Sequence, residues 1–99
     1  MDEPVDIRRE MNYGLVKHSD MNEDMRLDAM ESVITALEKF NNQYDSAARM
    51  ITDVMDKRYG ASWHCIIGQG FGFEVTYEVQ HLLHMYHGGN LSVLLYKAS

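Results

Sequence analysis

From Trp63 to Tyr77 the chain alternates with a period of two, the pattern of an extended backbone packed on one side. Trp63, Cys65 and Ile67 would point to one face of a strand, and His64 and Ile66 to the other. Gly68-Gln69-Gly70 interrupts the run, after which Phe71, Phe73, Val75 and Tyr77 share a face and Gly72, Glu74 and Thr76 oppose them. Two alternating runs separated by a glycine-rich triplet predict a β-hairpin or a strand pair, with the triplet as its turn. Such a ladder needs a layer packed against its apolar face.

The preceding residues supply that layer. Met1 to about Asn12 mixes acids with Arg8 and Arg9, holds the single proline and shows no apolar period, which predicts a flexible acidic tail over residues 1–12 and a folded domain over 13–99. Tyr13 to Lys17 is a short extended stretch suited to a sheet edge. Asp20 and Glu23 have capping-box spacing, so a helix is expected to open at Asp20. Met21, Met25, Met30, Val33, Ile34, Leu37 and Phe40 recur at three- and four-residue steps and lay an apolar stripe along it. Asn41-Asn42 tolerates the left-handed conformation and closes this helix. A second helix is expected from about Asp45, with Ala47, Met50, Ile51, Val54 and Met55 inward and Gly60 as its stop. Beyond the central run, Val79, His81, Leu83, Met85 and His87 alternate, Gly88-Gly89-Asn90 reads as a turn, and Leu91 to Lys97 as a last strand. Two helices followed by antiparallel strands make an α+β domain.

Composition narrows the function. A formal charge of -6 leaves no basic surplus to displace counterions from phosphates, so a nucleic-acid binder is not expected. No apolar stretch approaches a membrane span, and no charged-then-apolar leader follows Met1. One cysteine, Cys65, excludes a disulfide within the chain and suits a reducing compartment. The expectation is a small cytosolic domain. At 99 residues it buries its core only marginally as a monomer, and a second subunit is one way to bury more.

The chemistry-bearing residues do not assemble into a catalyst. Gly68-x-Gly70-x-Gly72 resembles a phosphate loop, but the third glycine falls one position early and a strand follows where a helix is required. His64 and Cys65 are adjacent on a strand and therefore face opposite sides, so they cannot act locally as base and nucleophile. Cys65 reads as a small buried hydrophobe. His81 and His87 would share a strand face roughly 20 Å apart while His84 points away, so the three cannot converge on a metal and read as solvent-facing or interface imidazoles. His64 has two readings: a core histidine satisfied by a hydrogen bond, or a subunit-contact histidine whose protonation weakens association. The methionines read mainly as adaptable core filler. No enzyme and no cofactor are expected.

Trp63-His64-Cys65-Ile66-Ile67-Gly68, then Phe71-Gly72 and Val75-Thr76, is similar to the central strands of the eight-kilodalton dynein light chains. The resemblance extends over about residues 13–97. It includes Ala36-Leu37-Glu38-Lys39-Phe40-Asn41, Asp56-Lys57-Arg58-Tyr59 and Leu94-Leu95-Tyr96-Lys97. Val16-Lys17-His18-Ser19-Asp20-Met21, Gly68-x-Gly70-Phe71-Gly72-Phe73-Glu74 and Gly88-Gly89 resemble the axonemal light chain 4 branch most.

The resemblance implies two helices packed on an antiparallel sheet, and a dimer in which the strand Phe71 to Tyr77 crosses to the partner's sheet. It implies that an extended client peptide adds to the edge of that strand, by β-augmentation. Phe71, Gly72, Phe73, Glu74, Val75, Thr76, Tyr77 and Tyr86 would be the peptide-binding residues, and His64, Phe73 and Val75 the dimer contacts. The implied partners are dynein intermediate chains and either a second copy or another light chain. The implied setting is cytoplasm and cytoskeleton, in the axoneme of a cilium or flagellum. A general dimerisation hub for diverse cytosolic proteins is the alternative. Phe73 and Glu74 stand where the hub protein has a small serine and a tyrosine, and Tyr44 or Asp45 stands where a lysine serves the client's central glutamine.

Overall fold

A computed structural model describes residues 15–69, 80–88 and 91–98. In chain order these form β1 (Leu15–Ser19), α1 (Glu23–Lys39), α2 (Tyr44–Tyr59), β2 (Trp63–Gln69), β3 (Gln80–His87) and β4 (Leu91–Lys97). The strands make one sheet in the order β1-β3-β4-β2, and each neighbouring pair is antiparallel. Both helices lie on one face of this sheet, as the α+β reading expects. The calls on the 1–12 tail, on Phe71 to Tyr77 and on Gly89-Asn90 lie outside the described residues.

Helix α1 starts later than its capping-box spacing suggests. Asn22 is the N-cap, and its side-chain oxygen accepts from the Met25 N–H at 2.8 Å. Asp20 is not a cap, because its carboxylate accepts from the Leu82 N–H instead. Either residue type could take an orphan N–H, and Asn22 lies at the right distance once the Ser19 hydroxyl has accepted from the Met21 N–H at 3.2 Å. Glu23 and Asp24 in the first turn and Lys39 in the last suit the helix dipole.

Ala29, Val33, Ala36 and Leu37 form the buried stripe of α1, Met21 just ahead of the helix joins them in the core, and Met25, Met30 and Phe40 pack against it half-buried. Ile34 is only half-buried. Asn42 takes φ 67°, the left-handed conformation expected of this turn. Ala47, Ile51 and Met55 recur at four-residue steps on α2 and are fully buried. Val54, expected inside, is half-buried and lines a groove between the helices with Ser32, Thr35 and Met50. Gly60, at φ 80°, ends α2 with its N–H donating to the Asp56 carbonyl at 3.0 Å.

The sheet closes the core with Trp63, Leu83, Met85, Val93 and Leu95. Gly68 and Gln69 do not turn: they continue β2, paired with Ser92 and Leu91 of β4. Full extension of β2 gives it seven residues, matching β4 along its whole length. Two register shifts break the ladder, one between Val16 and His18 on β1 and one between Gln80 and Leu83 on β3. The second puts His81 at φ 53° and ends the simple alternation expected from Val79 onwards.

Candidate functional site

The sheet order leaves β2 at one margin. β4 pairs with it along one side, and among the described residues no strand occupies the other. A seven-residue strand with main-chain N–H and C=O groups on an open side is a template for another extended segment. β1 forms the opposite margin but has five residues and a register shift, so it offers a shorter and less regular ladder.

The face of the sheet away from the helices is also unusual in composition. The pairing places Ile66, Leu94, His84 and His18 in one row across the four strands. His64 and Tyr96 form a neighbouring pair, with rings stacked at 5.4 Å and 23°. His64 is exposed and Ile66 is 45% exposed, an unusual level for an isoleucine in a strand. The core reading of His64 is therefore corrected: period-two alternation turns Trp63 into the core and His64 out of it.

His84 also departs from expectation. It is neither solvent-facing nor free, being 1% exposed, with Nε2 at 3.2 Å from the Ser92 hydroxyl. A buried imidazole needs such a partner, and the register across β3 and β4 delivers one eight residues away in sequence. Tyr86, one of the expected peptide contacts, is half-buried with its ring 5.6 Å from that of His84. His64 and Tyr86 sit on strands flanking β4, but pair with Tyr96 and Ser92 and so lie toward opposite ends of the sheet. His81 is half-buried against Trp63, with ring centroids 6.3 Å apart.

Phe71, Gly72, Phe73, Glu74, Val75, Thr76 and Tyr77 lie outside the described residues, but their point of departure is in view. Gln69, the last residue of β2, donates from Nε2 to the Tyr44 hydroxyl at 3.4 Å. This brings the open end of β2 to the first turn of α2, beside a hollow lined by Asn42, Gln43, Tyr44, Asp45 and Ser46. Gln43 caps α2 without a side-chain hydrogen bond. Tyr44 thus lies beside the last residue of β2, although 25 residues separate it from Gln69.

Cys65 is not poised for chemistry. Burial pushes its thiol up to about 12, so it stays protonated at neutral pH and is a poor nucleophile. Among the described residues no group of His, Cys, Asp and Glu has metal-binding geometry, and no helix is long and apolar enough to cross a membrane.

Comparisons with known proteins agree with this geometry. The family model described as dynein light chain type 1 matches residues 13–98. Curated relatives named dynein axonemal light chain 4 are 53% identical: the mouse protein over 97 residues, covering 98% of this chain and 92% of its own length, and the human protein over 95 residues, covering 96% and 90%. Among solved structures, the dynein light chain-like domain of the Fasciola hepatica calcium-binding protein FhCaBP2 superposes with a TM-score of 0.70 at 18% identity, covering 88% of this chain and 93% of that one. The DLC-like domain of CsTAL3 superposes with a TM-score of 0.75 at 13% identity, covering 88% and 94%. These likenesses confirm the fold, and the family match together with the near full-length 53% identity to axonemal light chain 4 proteins makes the chain a member of the dynein light chain family.

Proposed function

We propose that this chain is a non-catalytic light chain of an axonemal dynein that binds and pairs extended segments of intermediate chains by β-augmentation. The observation that carries the reading is the side of β2, seven residues long, that no other described strand occupies, in a chain whose relatives are named axonemal light chains. Phe71 to Tyr77 crosses to the β2 edge of a second light chain, of this kind or another, and the client strand adds beyond it. His64, Phe73 and Val75 form the subunit seam, while Phe71 to Tyr77 and Tyr86 line the client's path. The exposed His64 and Ile66 on the outer sheet face support a subunit covering that face.

The energetics suit a fastening device. About five main-chain hydrogen bonds at a net ~0.5–1.5 kcal/mol each give at most about 7.5 kcal/mol, a few micromolar at the tightest, and the entropy of ordering the client leaves a single site weaker than that. Two parallel grooves raise this by avidity when the clients are themselves paired. The protein would therefore hold two disordered tails side by side, in the axoneme of a cilium or flagellum.

Val75→Asp and Thr76→Pro test the reading. Asp charges the seam, and Pro removes a ladder donor. Both variants are expected to lose binding to an intermediate-chain tail while keeping the helical circular dichroism of the wild type. Unchanged client affinity in both would refute the proposal.

A further inference from the structure

Three features meet where β3 begins. Between the pairs Gln80↔Lys97 and Leu83↔Leu95, β3 takes three steps where β4 takes two, so one residue is extra. Within that bulge His81 adopts φ 53°, a left-handed conformation in the middle of a ladder. Asp20, just past the end of β1, is bonded twice to Leu82. Its own N–H donates to the Leu82 carbonyl at 3.1 Å, and the Leu82 N–H donates to its carboxylate Oδ1.

This arrangement has a physical logic. In a regular antiparallel pair, both main-chain groups of Leu82 would meet the main chain of one opposing residue. At Asp20 the strand has ended and the chain is turning toward α1, with Ser19 and Met21 closing that turn. The Asp20 carboxylate takes the place of a ladder carbonyl and extends the pairing by one residue. A bulge bends its strand and re-aims the chain beside it. The chain that precedes Gln80 is the segment assigned above to the subunit exchange.

We infer that Asp20 is a positioning residue for strand exchange: by holding both main-chain groups of Leu82 it fixes the bulge at the start of β3, the strand that follows the exchanging segment in the chain. The inference rests on the strand-exchange reading. Asp20 is itself exposed, so replacing it removes no core packing. Trp63, the single tryptophan, has its ring 6.3 Å from that of His81 and reports on the bulge by its fluorescence.

The test is sedimentation equilibrium of the full chain and its variants, with tryptophan emission and far-ultraviolet circular dichroism on the same samples. Asp20→Ala is expected to weaken the dimer by about tenfold or more, the size of effect that loss of a hydrogen bond to a charged group has on an equilibrium, with helical signal retained and Trp63 emission shifted. Asp20→Asn keeps an acceptor at Oδ1 and should stay within about threefold of wild type, since one neutral bond replaces one charge-assisted bond. His81→Gly reaches the left-handed region freely and should dimerise at least as tightly as wild type. An Asp20→Ala chain that dimerises like wild type would overturn the inference, as would Asp20→Asn falling as far as Asp20→Ala. Should Asp20→Ala lose its helical signal, His81→Val decides: its branched side chain resists positive φ while Asp20 stays in place. A weakened dimer in that variant supports the positioning role, and an unchanged one overturns it. A wild-type chain that stays monomeric would instead refute strand exchange itself, and the inference with it.

Discussion

Single residues on this sheet take their roles from which way the strand turns them. His64 and Cys65 are neighbours, yet one is exposed and stacked on Tyr96 while burial holds the other as a thiol. If the outer face is the subunit seam, a fixed charge in place of His64 would be desolvated there and favour the monomer. His64→Asp should therefore raise the dimer dissociation constant measured by sedimentation equilibrium, while His64→Gln should change it less. A constant unchanged in His64→Asp would exclude His64 from the contact. Asn22 offers a simpler test at the same scale. Asn22→Ala removes the side-chain bond to the Met25 N–H and should lower the unfolding free energy by about 1 kcal/mol in urea titration. Sequence spacing favoured Asp20 for that role, because both residue types cap equally well and only the backbone path decides which carboxylate or amide reaches the helix.

Between elements, the helix pair is held by its core and by one polar strap. Ile51 on α2 is fully buried, so Ile51→Ala should cost about 2–5 kcal/mol, measured by chemical denaturation. On the outer side, the Tyr59 hydroxyl donates to Asp28 Oδ2 at 2.5 Å and Arg58 Nη1 lies 3.4 Å from the same oxygen, joining the end of α2 to α1. The donated hydrogen bond, with some desolvation and the Asp28 charge, raises Tyr59 above its ordinary value of 10.0. The protonated phenol is the form the fold favours. Its contribution is thus complete below the unfolded value near 10 and is lost as pH rises through the raised folded value. Tyr59→Phe should lower stability at neutral pH by about 1 kcal/mol and blunt the alkaline loss seen in the wild type. The helix stripes behind this packing were legible from three- and four-residue spacing alone. The strap was not, since its partners lie 31 residues apart with nothing in either local sequence to pair them.

At the level of the whole molecule, the β2 margin that no other described strand occupies and a sheet face bearing His64 and Ile66 are what support the proposed pairing with a second light chain. Sedimentation equilibrium of the purified chain, alone and with a Thr-Gln-Thr peptide, is expected to show a dimer that takes up little of that peptide. Phe73 and Glu74 stand where the general hub has a small serine and a tyrosine, and Tyr44 or Asp45 stands at the hub's lysine position. Two peptides bound per dimer would move the chain to the general hubs instead. The sequence by itself determined the fold class, the helix faces, the edge placement of β1 and the family, because strand and helix periods are local and the family's motifs are contiguous. Only the tertiary structure decided that Gly68 and Gln69 extend β2, that His84 is buried on Ser92, and that Asp20 serves Leu82 rather than α1. Each of these depends on which main-chain or side-chain groups meet across strands, in the last case 62 residues apart, and a residue's type does not say which distant partner the register will bring to it.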